Sequence, residues 1–188
     1  MDFVVMAFGL LIGSFLNVCI YRIPRDESVV FPGSRCPDCG ARLKPADLVP
    51  VISFLLLKGR CRYCNRPISW RYPLVETLTA CLMWLFYRHY GITIMAAYYA
   101  FIGCLLVVVA FIDLSHQEIP NGLVLALMIV GLAAKLAGIG VGVVDGLYGL
   151  LVGGAPLVLI AVISVLALRR EGMGGGDIKL MAAVGWCL

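Results

Sequence analysis

Long apolar runs separated by short polar breaks dominate this chain. Runs close to the roughly 20 residues that cross a bilayer as helix extend from Phe3 to Tyr21, Tyr72 to Tyr87, Ile92 to Ile112, Leu123 to Ile139 and Gly146 to Leu168. A sixth starts at Ile178 and reaches Leu188 in mid-span, so the chain reads as incomplete there. The pattern predicts an all-α polytopic integral membrane protein, a multi-helix transmembrane bundle interrupted once by a polar insert. Its parts are a first transmembrane helix over 1–21, an insert over 22–71, and a bundle over 72–188.

Composition agrees with a membrane protein: 62% of residues are hydrophobic, 14% are charged, and the mean hydropathy is +0.98. The first run has no basic start and no small-residue cleavage site, so it reads as a permanent anchor rather than a signal peptide. Charge then sets the orientation. Ten of the fifteen Lys and Arg lie between Arg22 and Arg71, against four acids, whereas the rest of the chain has more acids than bases. The positive-inside rule places 22–71 in the cytoplasm. Counting spans puts the 113–121 and 169–177 loops on the same side, in agreement with Arg169, Arg170 and Lys179. A basic segment beside a membrane is expected from orientation and anionic lipid alone, so it does not imply a nucleic-acid partner.

Four of the eight cysteines, Cys19, Cys81, Cys104 and Cys187, fall inside apolar spans, where cysteine is usually a small hydrophobe. The others form Cys36-Pro-Asp-Cys39 and Cys61-Arg-Tyr-Cys64. Two CxxC turns at this separation suit a tetrahedral four-thiolate zinc site. Disulfides are disfavoured in a reducing cytoplasm. A redox CxxC is disfavoured because two motifs occur together, with Gly40, Asn65 and Pro67 shaping their turns. Four thiolates leave no open position for a catalytic water, so the zinc is expected to be structural and to hold the insert folded.

Asp113 and Asp177 each sit at the end of an apolar run on the predicted cytoplasmic side. Carboxylates near hydrocarbon mark functional sites by default. Asp113 precedes a short loop that ends at Pro120 and Asn121, where Asn121 is suited to cap the next helix. Asp177 follows Gly172, Gly174, Gly175 and Gly176, a stretch expected to resist helix and to let a peptide approach closely. Two carboxylates at one site resist ionising together, so one holds a proton while the other activates water, as in aspartic proteases. Asp145 is expected on the opposite face as a solvated loop residue, His89 outside, and His116 in an exposed loop near Asp113. The pairs Gly9/Gly13 and Gly149/Gly153 have the small-xxx-small spacing that permits close helix packing.

These motifs resemble bacterial type IV prepilin peptidases, in the family's order and over essentially the whole chain. The resemblance rests on Gly13 to Val18 followed by Tyr21-Arg22-Ile23-Pro24, the two CxxC pairs, Arg71 to Glu76, and Ile112 to Leu114 running on to Ile119-Pro120. Gly174-Gly175-Gly176-Asp177-Ile178-Lys179 completes it, matching the GxGD signature of membrane aspartic peptidases. It implies a bifunctional enzyme that removes the basic leader from type IV prepilins or secretion pseudopilins and then N-methylates the new terminus with S-adenosylmethionine. Asp113 and Asp177 would be the catalytic pair, and Gly174, Gly176 and Lys179 part of the active-site loop. Cys36, Cys39, Cys61 and Cys64 would hold zinc in a domain associated with methyl transfer. Members of the family usually continue with further spans beyond the GxGD helix. A basic leader approaching a basic face needs acids to receive it, and Glu76, Glu118 and Asp38 are the candidates.

The alternative from another class is a small ion- or proton-coupled transporter using the same aspartates. It fits less well, because both acids lie at one membrane face rather than near the midplane. A zinc-dependent membrane adaptor would account for the cysteines but not for the aspartates.

Overall fold

The computed structural model describes residues 1–168 and 174–188. Arg169, Arg170 and Gly172, used above for topology and for the glycine-rich stretch, lie outside them. Among the described residues seven α-helices form: α1 (Asp2–Arg22), α2 (Ile52–Leu56), α3 (Arg71–Tyr90), α4 (Ile94–His116), α5 (Asn121–Leu136), α6 (Val143–Leu168) and α7 (Gly175–Cys187). Among the described residues there is no strand, only two isolated bridges, Arg35 with Arg42 and Arg60 with Pro67. Every apolar run expected to span is helical. The segments Asp2–Arg25, Ile94–His116 and Val143–Ala167 are long and apolar enough to cross a membrane, and α5 is a shorter apolar helix. The chain divides into two compact units, Met1–Ile112 and Asp113–Leu188, with the boundary inside α4.

In the first unit, α1 packs on α3 by backbone approach. A Cβ on Gly9 would stand 2.6 Å from the Cα of Ala80, and one on Gly13 would stand 2.6 Å from the Cα of Glu76. Asn17, one helical turn beyond Gly13, is 1% exposed, and its Nδ2 donates to the carbonyls of Gly13 and Tyr72 at 3.3 and 3.1 Å. A buried amide is costly without partners, and here it joins the two helices where the insert begins. Gly103 lets Phe86 of α3 lie close to α4, where Phe86 and Tyr90 both stack on Tyr99.

The insert is mostly loop, with 3-10 turns at Ile23–Arg25 and Pro45–Leu48 and the single short helix α2. Arg22 anchors its first strap, donating to the carbonyls of Ser28 and Pro32 at 2.8 and 2.7 Å. Val51 is held at φ 59, a region in which a β-branched residue is strained. Its N–H donates to the Glu76 carboxylate of α3 at 2.7 Å.

In the second unit, α7 packs against both α5 and α6. Gly149 on α6 and Gly185 on α7 bring the two backbones into direct contact, and Gly153 does the same beside Met181. The small-residue pairs therefore serve packing within one chain. Gly131 of α5 leaves room for Trp186, whose indole N–H donates to the Met128 carbonyl at 3.2 Å. Asp145 is exposed but sits in the first turn of α6, not in a loop, where a carboxylate favours the helix dipole.

Adding a side chain where backbones touch typically costs about 1–3 kcal/mol. Gly9→Val is therefore expected to lower the thermal midpoint of the detergent-solubilised protein. Gly122→Ala, whose Cβ would meet nothing within 4 Å, should not lower it. Thermal unfolding followed by intrinsic fluorescence checks both.

Candidate metal centre and carboxylate site

The four clustered cysteines come together in the insert. Their sulfurs all lie within 4.8 Å of one another, and Cys36 Sγ is 3.9 Å from Cys64 Sγ. A tetrahedron with Zn–S bonds near 2.3 Å has edges of about 3.8 Å, so the cluster could hold zinc once its wider sulfur separations close up slightly. The two turns are built alike. The N–H of Cys36 donates to the Ala41 carbonyl and its carbonyl accepts from Gly40. The N–H of Cys61 donates to Arg66 and its carbonyl accepts from Asn65. Both turns close through a left-handed residue, Gly40 at φ 69 and Asn65 at φ 57. Glycine and asparagine take that conformation most readily, so the choice of residue at each position follows from the turn.

The thiols are not equivalent. Backbone N–H groups of Cys64 and Tyr63 point at Cys61 and bring its pKa down to about 7. At Cys64 an N–H from Arg66 favours the thiolate, but burial and the three neighbouring sulfurs outweigh it and push the pKa up to about 12. Burial raises Cys36 in the same way, against N–H groups of Cys39 and Asp38. Crowded sulfurs that resist shared negative charge are the arrangement a divalent cation relieves. Around them, Arg62 pairs with Asp47 at 2.7 Å and Arg66 with Asp38 at 3.1 Å. For Asp47, desolvation is opposed and outweighed by the Arg62 bond and the Lys44 N–H, which hold its carboxyl below the usual range.

Asp113 and Asp177 both line one cavity of about 260 Å³ in the second unit, with Gln117, Glu118, Ile119, Asn121, Gly174, Gly176 and Lys179. Asp113 stands in the last turn of α4, which runs on to His116 and is followed by Gln117, held at φ 54 with its N–H on the Asp113 carbonyl at 2.8 Å. Both aspartates are exposed. Here the glycine-rich stretch differs from expectation. Gly175, Gly176 and Asp177 open α7, with Gly174 as its N-cap at φ −68, and none of the three glycines adopts positive φ. Their role is steric: a Cβ on Gly176 would press on Ile119 at 3.2 Å, and one on Gly174 would lie 3.4 Å from an Asp177 oxygen. Asp177 thus occupies the first turn of α7, where a negative charge faces the helix dipole favourably.

Asn121 is not the cap it was expected to be. It is the first residue of α5, Pro120 is the N-cap, and the Asn121 carbonyl oxygen accepts from Lys179 Nζ at 3.2 Å. His116 is exposed in the last turn of α4 rather than in a loop and does not line the cavity. Of the acids suggested for a basic leader, Glu118 lines the aspartate cavity, Asp38 is paired with Arg66, and Glu76 is buried. Sequence reasoning missed Gln117 in this site; its left-handed backbone has no signature in residue type.

Comparison with known proteins follows the same division. Residues 7–90 match the model for the bacterial peptidase A24 N-terminal domain, and residues 99–188 match the type IV leader peptidase family. Curated relatives bear the name prepilin leader peptidase/N-methyltransferase. One from Dichelobacter nodosus is 35% identical over 97% of this chain and 73% of its own length. One from Bacillus subtilis is 38% identical over 98% and 73%, and one from Myxococcus xanthus is 40% identical over 94% and 53%. No solved structure matches.

The purified chain is expected to carry one zinc ion. Replacing Cys36 and Cys61 together with serine should remove it and open residues 22–71 to limited proteolysis, as should a strong chelator. Elemental analysis that finds no zinc in the wild type would refute the metal assignment.

Proposed function

We propose that this chain, which belongs to the type IV leader peptidase family, cleaves the basic leader from prepilin-like substrates at the Asp113–Asp177 cavity and methylates the new amino terminus. The observation that carries the first half is that two aspartates distant in sequence line a single small cavity. One carboxylate, ionised, takes a proton from water as the water attacks the scissile carbonyl. The other, protonated, donates to the carbonyl oxygen, so charge never accumulates on the tetrahedral carbon's oxygen. Gly174 and Gly176 keep side chains away from the approach, and Lys179 fixes the start of α5 through Asn121.

The local charge suits a basic substrate. Among the described residues, three carboxyl groups, of Asp113, Glu118 and Asp177, line the cavity with one ammonium, that of Lys179, which is already bonded to Asn121. The carboxyl-rich pocket gives a cationic leader an attraction that the basic insert does not supply. On this reading the cavity and the insert face the cytoplasm of a bacterial inner membrane. Family membership gives the transporter alternative no support.

For the second activity, S-adenosylmethionine supplies the methyl group and leaves as S-adenosylhomocysteine, while the amine gives up a proton. Zinc held by Cys36, Cys39, Cys61 and Cys64 would fix the insert as a framework and take no part in bond making.

Asp113→Asn and Asp177→Asn are each expected to reduce leader release by at least about 10²- to 10⁴-fold, the usual contribution of a positioned acid or base. Membrane insertion should be unchanged. Mass spectrometry of a model prepilin incubated with each variant checks this, and normal cleavage by either would refute the pair.

A further inference from the structure

The first unit contains a second and larger cavity, of about 620 Å³. Its size falls in the range of small-molecule sites. Its walls come from the insert, and its lining includes Asn17 and Tyr21 of α1 and Arg71, Tyr72 and Glu76 of α3. Nothing in the peptidase chemistry uses these residues.

Two polar atoms in this wall lack a partner, and they differ in kind. Asn17 is 1% exposed and its Oδ1 is buried without a partner, although its Nδ2 makes two bonds. The Nε of Arg71 is likewise buried without a partner. Orphaned buried atoms such as these two are rare and call for an explanation. Beside them Glu76, 6% exposed, is hydrogen-bonded by the Val51 N–H and by Ser14 but forms no ion pair among the described residues. The three groups are close together. Asn17 Nδ2 reaches the carbonyl of Tyr72, the neighbour of Arg71, and Glu76 lies one helical turn beyond Tyr72, against Gly13. One corner thus offers an acceptor, an anion and a donor.

We infer that this corner binds the zwitterionic α-amino-acid end of S-adenosylmethionine, its ammonium on Asn17 Oδ1 and Glu76 and its carboxylate on Arg71 Nε. The inference rests on the methyl-transfer reading above. An α-amino acid is the group that presents N–H donors and a carboxylate on adjacent atoms, which the two opposite orphans require. The amino terminus of a peptide offers the ammonium but an amide in place of the carboxylate. Tyr21 and Tyr72 add aromatic surface in the same cavity for a cationic or planar ligand part.

The test is equilibrium binding by calorimetry to the zinc-loaded chain in detergent, with S-adenosylmethionine, its decarboxylated analogue, and a short peptide with a free amino-terminal phenylalanine. The wild type should bind S-adenosylmethionine at least tenfold more tightly than the decarboxylated analogue. Glu76→Gln, which keeps an acceptor for Val51, and Asn17→Leu should each weaken binding at least tenfold. Arg71→Met should bring the two nucleosides to equal affinity, a loss of selectivity that general misfolding does not produce. Donor binding by the wild type with unchanged affinity and selectivity in all three variants would overturn the placement and leave the proposed function standing. Loss of peptide binding without loss of donor binding would also overturn it, giving the corner to the substrate. A wild type that neither binds nor uses the donor would remove the methyl-transfer reading itself.

Discussion

Between helices surrounded by lipid, apolar burial no longer draws surfaces together, and close van der Waals contact has to take its place. This protein meets that requirement with glycine at the helix crossings. Gly9 and Gly13 let α1 lie on the backbone of α3, and Gly149 and Gly153 let α6 lie on the backbone of α7. The functional groups inherit their positions from these contacts. Asn17 and Glu76 are within a turn of the Gly13 crossing, and Asp177 sits at the head of the helix that Gly149 and Gly153 hold in place.

The two cavities rest on opposite electrostatic solutions. At the aspartate site, the carboxyl groups of Asp113, Glu118 and Asp177 are exposed, within reach of a substrate and of water. In the first unit, polar atoms are buried and left partly unpaired, a costly state in a low-dielectric interior. A fold keeps such a corner only if something else in the structure enforces it. Here that is the insert, whose shape depends on its two cysteine turns and on Arg22, Arg62 and Arg66.

What could be read from the sequence follows from how local each signal is. Apolar runs located the long helices to within about a turn, three of them long and apolar enough to cross a membrane, because hydrocarbon length and backbone satisfaction leave few options. The cysteine turns were legible down to Gly40 and Asn65, since left-handed backbone selects residue type. Residues 174–177 were not. Glycine lowers helix propensity, but packing against α6 and the close approach to Ile119 outweigh that penalty, and α7 begins at Gly175. Asn121 looked like a cap, yet its side chain is taken by Lys179, 58 residues away. Glu76 was a candidate acid for a basic leader; its burial and its bond to Val51 come from tertiary contacts that no local pattern encodes.

The unfavourable backbone at Val51 sets a limit on how this protein can be taken apart. That residue stays left-handed only while a carboxylate on a neighbouring helix holds its amide. A soluble fragment of the insert would keep all four sulfurs but lose that hold, and Val51 would relax towards extended geometry. Such a fragment would report the metal chemistry faithfully. It would say nothing about recognition, because the floor of the chamber belongs to the helices left behind.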